Sequence, residues 1–381
     1  MNTPPSLAEL RDVAGVRIST DKDGLPIIES HPTKQIKTLD ELLQQANYSL
    51  DEWEVLQSVA NVWHQMSGAN GLVPLWQVKA TLRRKDLSRE QVSEIIRESI
   101  KALKDSIRTA LPKVKVSPKG KGVMCEFALP DLHLGKLAWS EETGHGSWDL
   151  KIARKVYETA LDDLIARSPE AEEAWFVIGN DFFNVDGDTK TTTAGTPQDE
   201  DGRWQKTFRE GKTLIMQSIG RLKKKFPKVK VIVVYGNHDK QRSFYLGELL
   251  YEVAKAIGDP SLTIDNRPLS RKFYQWGETG IGFTHGDKLK EKNLAHICQY
   301  EAREIWGKTK RFELHLGHLH QDIVKTLGGV IVRWLAALCP PEVWHAENGF
   351  VMSEKSASVL VYNQRGMDNL IVHYPDPKMF K

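Results

Sequence analysis

Residues 231–239 read V-I-V-V-Y-G-N-H-D, an apolar run that ends in a glycine and then in three polar side chains. A short, continuous apolar run of this kind predicts a buried strand. The glycine allows the backbone to turn sharply and to approach a ligand closely. Asn237, His238 and Asp239 are residue types that bind metals or transfer protons. The segment therefore predicts a strand over residues 229–235 with chemistry at its carboxyl end.

The same pattern occurs at four other places in the chain. Apolar runs at 123–129, 174–178, 280–284 and 312–316 are each followed by a polar cluster. The clusters are Pro130-Asp131-Leu132-His133, Gly179-Asn180-Asp181, His285-Gly286-Asp287 and Gly317-His318-Leu319-His320. Ligand sites in α/β sheets gather at the carboxyl ends of strands, so the five loops are expected to converge.

Helical periodicity lies between these strands. Residues 149–167, 203–226 and 244–257 have apolar side chains on one face, and residues 357–374 alternate as β-strands do, with a turn at 363–369. Alternating strands and helices predict an α/β fold with both faces of its sheets covered. His315 lies inside an apolar run and is interpreted as a strand residue rather than a ligand.

Seven residues in the five loops are metal-ligand types. They are Asp131, His133, Asp181, Asn237, His285, His318 and His320. A mixture of oxygen and imidazole donors suits Mn, Zn, Fe or Co better than Ca. Seven ligands are too many for one ion but fit two ions if one carboxylate bridges them, as in two-metal phosphoryl-transfer sites. We expect two divalent metal ions, with Mn as the first choice and Zn, Fe or Co as alternatives.

The five motifs, in this order, resemble those of the calcineurin-like metallophosphoesterase superfamily. They are D-x-H (131–133), a G-D element (179–181), G-N-H-D (236–239), H-G (285–286) and G-H-x-H (317–320), and they span about residues 122–322. The resemblance implies a pair of packed β-sheets flanked by helices. It also implies that Asp131, His133 and His320 hold one metal and Asn237, His285 and His318 the other. Asp181 would bridge the two ions, and His238 would be the general acid, oriented by Asp239.

Details of the motifs favour one branch of that superfamily. Asn180 intervenes in the second motif, as an extra residue does in DNA-repair exonucleases, and Asn184 stands where many relatives have Asp. A third motif that ends in Asp239 is similar to nucleases and phosphodiesterases, whereas Ser/Thr protein phosphatases have Glu there. The overall layout resembles phage-encoded metallophosphoesterases.

The rest of the chain suggests a preceding domain. Its 381 residues exceed one typical domain. We predict a poorly ordered arm at 1–40, a helical DNA- or partner-binding domain at 41–111, a linker at 112–121 and the catalytic domain at 122–381. A basic stripe in this region is either a solvated flank or a surface that binds the phosphates of DNA without reading its sequence. It is formed by Lys79, Arg83, Arg84, Lys85, Arg97, Lys101, Lys104 and Arg108.

Composition limits the setting of the protein. The net charge of +3 neither demands nor excludes a nucleic-acid partner. The sequence contains no run of about 18 apolar residues, so no membrane span is predicted. The first residues lack the basic start and apolar stretch of a secretory signal. Three scattered cysteines without a CxxC motif predict a reducing, cytoplasmic location.

Three functions remain open on the sequence. The first is a phosphodiesterase acting on DNA, a nuclease or exonuclease. The second is a phosphomonoesterase acting on nucleotides or small phosphates, and the third is a non-catalytic scaffold. Two further segments also have open roles: residues 186–203 are either a mobile lid or a solvated loop, and Trp344-His345 are either a structured turn or a substrate contact.

Overall fold

The computed structural model describes residues 11–13, 15–33, 35–67, 71–85 and 120–381, with single positions 94, 97, 98, 101, 102, 105 and 116. It divides into two compact units, Met1–Ile100 and Lys101–Lys381. No helix in the described part of the chain is long and apolar enough to cross a membrane.

The larger unit is mixed α/β and contains two sheets. The first has six strands in the order β16-β15-β6-β7-β8-β9, and β6 to β9 run parallel to one another. These strands are β6 (Met124–Ala128), β7 (Glu173–Gly179), β8 (Lys228–Val234), β9 (Leu262–Asp265), β15 (Ala357–Tyr362) and β16 (Met367–His373).

The second sheet has five strands in the order β10-β11-β12-β14-β13, with β11, β12 and β14 parallel. They are β10 (Lys272–Trp276), β11 (Thr279–Phe283), β12 (Arg311–Leu316), β13 (Ile323–Leu327) and β14 (Val330–Trp334). Trp175 and Ile232 of the first sheet and Ile281 and Phe283 of the second share one buried apolar cluster. The two sheets therefore pack face to face.

Helices cover the outer faces of this sandwich. Leu150–Arg167, Trp204–Lys225 and Lys240–Ile257 share the largest apolar core with the six-stranded sheet. Leu294–Glu301 and Arg303–Trp306 pack on the five-stranded sheet. The remaining short helices are Ser140–Thr143, Glu291–Asn293, Val343–Glu347 and Pro377–Phe380.

The predicted strands and helices of this unit are confirmed to within a few residues. The five strands that precede the polar clusters, β6, β7, β8, β11 and β12, are mostly buried along their length, as expected for strands that are covered on both faces. The helix at Leu150 begins where predicted because the Asp149 side chain accepts a hydrogen bond from the Ile152 amide. Strands β9, β10, β13 and β14 were not predicted.

The prediction of a helical domain at residues 41–111 is wrong for most of its described part. Only Leu39–Gln45 and the single positions 94, 97, 98, 101, 102 and 105 are helical. Most of the other described residues form a long antiparallel hairpin, in which Trp53–Ser67 (β4) pairs with Gly71–Arg84 (β5). A register shift between Val55 and Gln57 interrupts the two-residue alternation of β4. The spacing of the apolar residues along this strand therefore resembles that of a helix.

The predicted arm at residues 1–40 is also wrong where it is described. Arg11–Val13 (β1), Val16–Thr20 (β2) and Pro26–Ser30 (β3) complete a five-stranded sheet in the order β1-β2-β3-β5-β4. Burial of Val16 and Ile28 against helix residues Leu42 and Leu43 stabilises this sheet. Residues 1–10, Lys104, Arg108 and most of the predicted linker lie outside the described residues.

A cluster of charged side chains lies between the two sheets of the larger unit. His315 Nδ1 is 2.7 Å from Glu126 Oε1, and Arg333 Nε donates to Glu313 Oε2 at 2.8 Å. The Tyr362 hydroxyl also lies 3.3 Å from Glu313 Oε2. His315 is therefore a strand residue that belongs to this buried ion cluster, as its position in the apolar run indicated.

The ion cluster predicts a pH-dependent stability. Burial lowers the pKa of His315, but Glu126 and Glu313 more than offset it and raise the pKa to about 9. A folded-state pKa above the unfolded value of about 6.5 stabilises the fold fully below that pH and progressively less as pH rises through about 9. We expect the Tm of chelator-treated protein to fall between about pH 6.5 and 9, and this component to be missing in His315→Gln. If Tm fell equally with pH in the wild type and in His315→Gln, the attribution of this pH dependence to His315 would be wrong.

Candidate metal centre

The ligand residues follow five strands, and their backbone is unusual. Asp131 and His133 follow β6, Asp181 follows β7, Asn237 follows β8, His285 follows β11, and His318 and His320 follow β12. Eight described residues other than glycine have positive φ angles, and six of them lie in these loops: Asp131, His133, Asn180, Asp181, His318 and His320. Left-handed backbone costs about 1–3 kcal/mol per such residue and collects at functional sites. The strain marks these loops independently of their residue types.

Three of the predicted ligands form a first group. His133 Nε2 is 3.1 Å from His320 Nε2, and His320 Nε2 is 3.4 Å from Asp131 Oδ1. All three residues are presented by loops at the same end of the sandwich, and Asp131 and His133 are buried. Cys339 Sγ also lies within 4.8 Å of the ligand atoms of His133 and His320. No motif in the sequence marks this cysteine as part of the site.

The other predicted ligands form a second group. His285 Nε2 lies 2.8 Å from Asn237 Oδ1 and 2.9 Å from Asp181 Oδ2. The His318 ring packs edge-on against His285, with centroids 5.0 Å apart. The His318 backbone amide donates to the Asp131 carboxylate at 3.0 Å, which ties this group to the first one.

Asp181 lies where the groups meet. One set of ligand atoms within 4.8 Å of each other joins Asp181 to His285 and His318, and another joins it to His133 and His238. Burial alone would raise the pKa of Asp181. The neighbouring His285 and His238 outweigh burial and lower the pKa to about 2, so the carboxylate is ionised. Gly236 makes room for this carboxylate, since a Cβ there would lie 1.9 Å from Asp181 Oδ1.

The donor set fits divalent metal ions. Ligand atoms of different residues come within about 3 Å of each other, the separation expected for ligands about 2.1 Å from a shared ion. Burial, together with the neighbouring His238 and His320 rings, holds the pKa of His133 well below its usual range. A neutral imidazole is the form that binds a metal. Asp131, His133 and His320 would hold one ion, Asn237, His285 and His318 the other, and Asp181 would contact both.

Two asparagines orient the histidines, a role that the sequence did not reveal. His133 Nδ1 donates to Asn184 Oδ1 at 3.2 Å, and His285 Nδ1 donates to Asn180 Oδ1 at 2.6 Å. Each bond leaves Nε2 of the ring free to face the ligand group. Such partners of metal-binding histidines fix the tautomer and the ring orientation. Asn180 therefore contacts a ligand from behind, while Asp181 lies among the ligands.

His238 lies beside the ligands, but Asp239 does not orient it. His238 Nδ1 is 2.8 Å from the Asn184 carbonyl oxygen, and its ring is edge-on to His133 at 4.6 Å. The Asp239 carboxylate instead accepts bonds from the Gly236 amide and the Ser243 hydroxyl. The carbonyl of Asn184 thus takes the orienting role expected of Asp239, which holds the Gly236 loop in place.

A cavity of about 540 Å³ opens over both groups. Residues 186–203 form one wall through Thr192, Thr196 and Gln198. This segment is anchored, because the Thr193 amide donates to the Asn237 carbonyl and Asp186 accepts from the amides of helix Lys240–Ile257. The segment lines the cavity, and its residues 188–190 and 193–197 are also exposed to solvent.

The opposite wall is the short helix Val343–Glu347 and the residues after it. The His345 ring stacks on the His320 ring with centroids 5.7 Å apart, and His345 Nδ1 lies 3.2 Å from Glu342 Oε1. Trp344 and Phe350 line the same cavity. Trp344-His345 therefore form a structured turn that also faces the site.

Comparisons with known proteins give only distant structural similarity. No protein-family model matches the chain, and neither does any curated protein. A conserved uncharacterized protein of Streptococcus pneumoniae TIGR4, described as a predicted phosphoesterase, matches with 11% identity and a TM-score of 0.30 over 66% of this chain and 90% of its own. A "novel archaeal phosphodiesterase" matches with 13% identity and a TM-score of 0.31 over 66% and 100%. Zinc-bound Vps29 from Entamoeba histolytica matches with 12% identity and a TM-score of 0.31 over 67% and 99%. Similarities at this level do not establish a family for this chain.

Proposed function

We propose that this protein is a two-metal phosphoesterase that hydrolyses phosphodiester bonds, with DNA as its substrate. The observation that carries the proposal is the convergence of seven donor side chains from five strand ends into two groups that meet at Asp181. A buried, ionised carboxylate between two sets of imidazoles is the arrangement that two adjacent divalent ions require.

The reaction also needs a group that protonates the leaving oxygen, and His238 is placed for this role. When bound, a pair of divalent ions supplies the positive charge that allows water to attack a phosphate ester. His238 lies beside the ligands, and its Nδ1 is engaged by the Asn184 carbonyl. Its Nε2 is therefore the atom that would donate a proton to the leaving oxygen, the role of a general acid.

A general acid at this position suits phosphate esters of sugars, in a DNA strand and in a nucleoside monophosphate alike. Cleavage of a DNA strand expels a sugar alkoxide, a poor leaving group that needs a proton. The lining of the cavity also includes Lys355, which is not one of the ligand residues and offers a positive charge to a second phosphate of a polymer. A phosphomonoesterase acting on nucleotides uses the same centre and is the alternative that an assay must separate.

The assay compares single-stranded DNA, duplex DNA and mononucleotides side by side in the presence of Mn²⁺. We expect hydrolysis of at least one DNA substrate with a higher kcat/KM than that of any mononucleotide. Release of phosphate from mononucleotides without strand cleavage would favour the monoesterase. Tight metal binding with no hydrolysis of any phosphate ester would favour the scaffold.

For the smaller unit we propose binding of DNA or of a protein partner. The support is the basic residues near the end of β5, although Lys79 and Arg83 are paired with Glu29 and Glu54. Arg84 and Lys85 are exposed as well. In the full chain, Arg84→Gln/Lys85→Gln should weaken DNA binding more at low salt than at high salt if these residues contact phosphates.

A further inference from the structure

Two aromatic rings are stacked on each other at the wall of the cavity and remain exposed. The rings of Trp344 and Phe350 have centroids 5.6 Å apart and an interplanar angle of 19°. Trp344 is nevertheless 58% exposed and Phe350 55% exposed. Each ring has one face against the other, so the exposed area is on their edges and outward faces.

The rings are not needed to hold the turn that carries them. The Phe350 amide donates to the His345 carbonyl at 2.8 Å, and the Asn348 side chain donates to the Trp344 carbonyl at 2.8 Å. The backbone therefore closes the turn by its own hydrogen bonds. Leaving two large apolar rings in water gives up the free energy that their burial would contribute. Exposed rings of this kind at a cavity indicate a ligand contact.

The stack is connected to the metal centre through a third ring. The His345 ring lies 5.2 Å from the Trp344 ring, edge to face, and on its other side it stacks on the ligand His320. Trp344 is thus two ring contacts from a metal-binding residue. A flat group on these rings would share one cavity with a phosphate at the ligand groups.

We propose that Trp344 and Phe350 form a subsite that stacks the heteroaromatic base of the nucleotide next to the scissile phosphate. This rests on the proposed phosphoesterase function and names its substrate class as base-containing esters rather than sugar or glycerol phosphates. Stacking reads the face of the base and not its hydrogen-bonding edge, so the subsite accepts every base. Lys355 lines the same cavity and supplies a cation for a flanking phosphate.

The subsite is tested with a dinucleotide and its abasic analogues, in which tetrahydrofuran replaces one base at a time. Stacking on an aromatic side chain typically contributes about 1–3 kcal/mol per base, or roughly five- to 150-fold in affinity. For the wild type we expect KM to be about tenfold higher for the analogue that lacks the stacked base than for the intact dinucleotide. In Trp344→Leu, the KM for the intact dinucleotide should rise to about the wild-type KM for that analogue. The KM for the analogue itself should be the same in both proteins.

Matched variants separate stacking from loss of apolar surface. Trp344→Phe keeps an aromatic face and should retain most of the preference, whereas Trp344→Leu keeps apolar volume without it. Tyr300→Ala removes a ring that is 79% exposed on another helix and should change neither substrate. A rise in KM for both the intact and abasic substrates in Trp344→Leu would overturn the proposal, since that result describes a structural wall.

Binding without turnover separates this inference from the proposed function. Calorimetry on the metal-loaded protein compares a nucleoside monophosphate with deoxyribose 5-phosphate. Tighter binding of the nucleotide that Trp344→Leu abolishes would support the subsite even if no ester were hydrolysed. Equal affinities in a wild-type enzyme that does cleave DNA would overturn the subsite and leave the proposed function intact.

Discussion

Asp181→Asn is expected to lower metal occupancy at both positions and to remove nearly all hydrolysis. The carboxylate lies within ligand distance of residues from both groups, so its loss affects two ions instead of one. An outer partner of a metal ligand typically contributes about 10- to 100-fold in affinity or activity. Loss of a shared ligand should exceed that range. Elemental analysis of the purified variant, with kcat on DNA, measures both effects.

Three further variants calibrate this result. Asn180→Ala removes only the acceptor behind His285 and should cost about 10- to 100-fold. Gly236→Ala leaves every ligand in place, but its Cβ would collide with the Asp181 carboxylate, so it should resemble Asp181→Asn. Gly187→Ala is the matched control, because nothing lies within 4 Å of a Cβ at that position.

The assignment of Asp181 fails if Asp181→Asn keeps a full complement of metal. In that case Asn180, or another residue of the loop after β7, would be the shared ligand. Loss of a single ion with the other retained would place Asp181 in one group only.

His238→Ala is expected to lose about 10²–10⁴ in kcat on DNA and to keep its metals. The ring is held by the Asn184 carbonyl with Nε2 free, beside the ligands. A nitrophenolate leaves without a proton, so the variant should retain far more activity on bis-nitrophenyl phosphate than on DNA. The ratio of the two fractional losses in kcat is the measurement.

His238 also lies within ligand distance of His133 and Asp181, so metal content must be measured in the same samples. Loss of an ion in His238→Ala would make this residue a ligand rather than the acid. Equal losses on both substrates with intact metals would remove the general-acid role and leave His238 as a contact to the phosphate.

The strands that position the site could be predicted because burial on both faces leaves a simple trace in the sequence. An apolar run such as 231–234 has few alternatives, and the polar residues after it have to lie at its carboxyl end. The ligand residues fall together in space for that reason. The long helices could be predicted as well, because the apolar faces that cover the sheets recur at helical spacing in the sequence.

Other features depend on contacts between residues distant in sequence. The β4–β5 hairpin is stabilised by pairing along most of its length, while its apolar spacing alone resembled a helix. The orienting role of Asn184 requires His133, 51 positions away, to lie opposite it, and the Trp344–Phe350 stack depends on a turn closed by backbone bonds. No periodicity or motif carries such information.

The central claim is tested most directly by titrating the chelator-stripped protein with Mn²⁺ while following bound metal and hydrolysis of DNA together. We expect activity to reach its plateau only as bound metal approaches two ions per chain. Full activity without bound metal, or two bound ions with no hydrolysis of any phosphate ester, would contradict it.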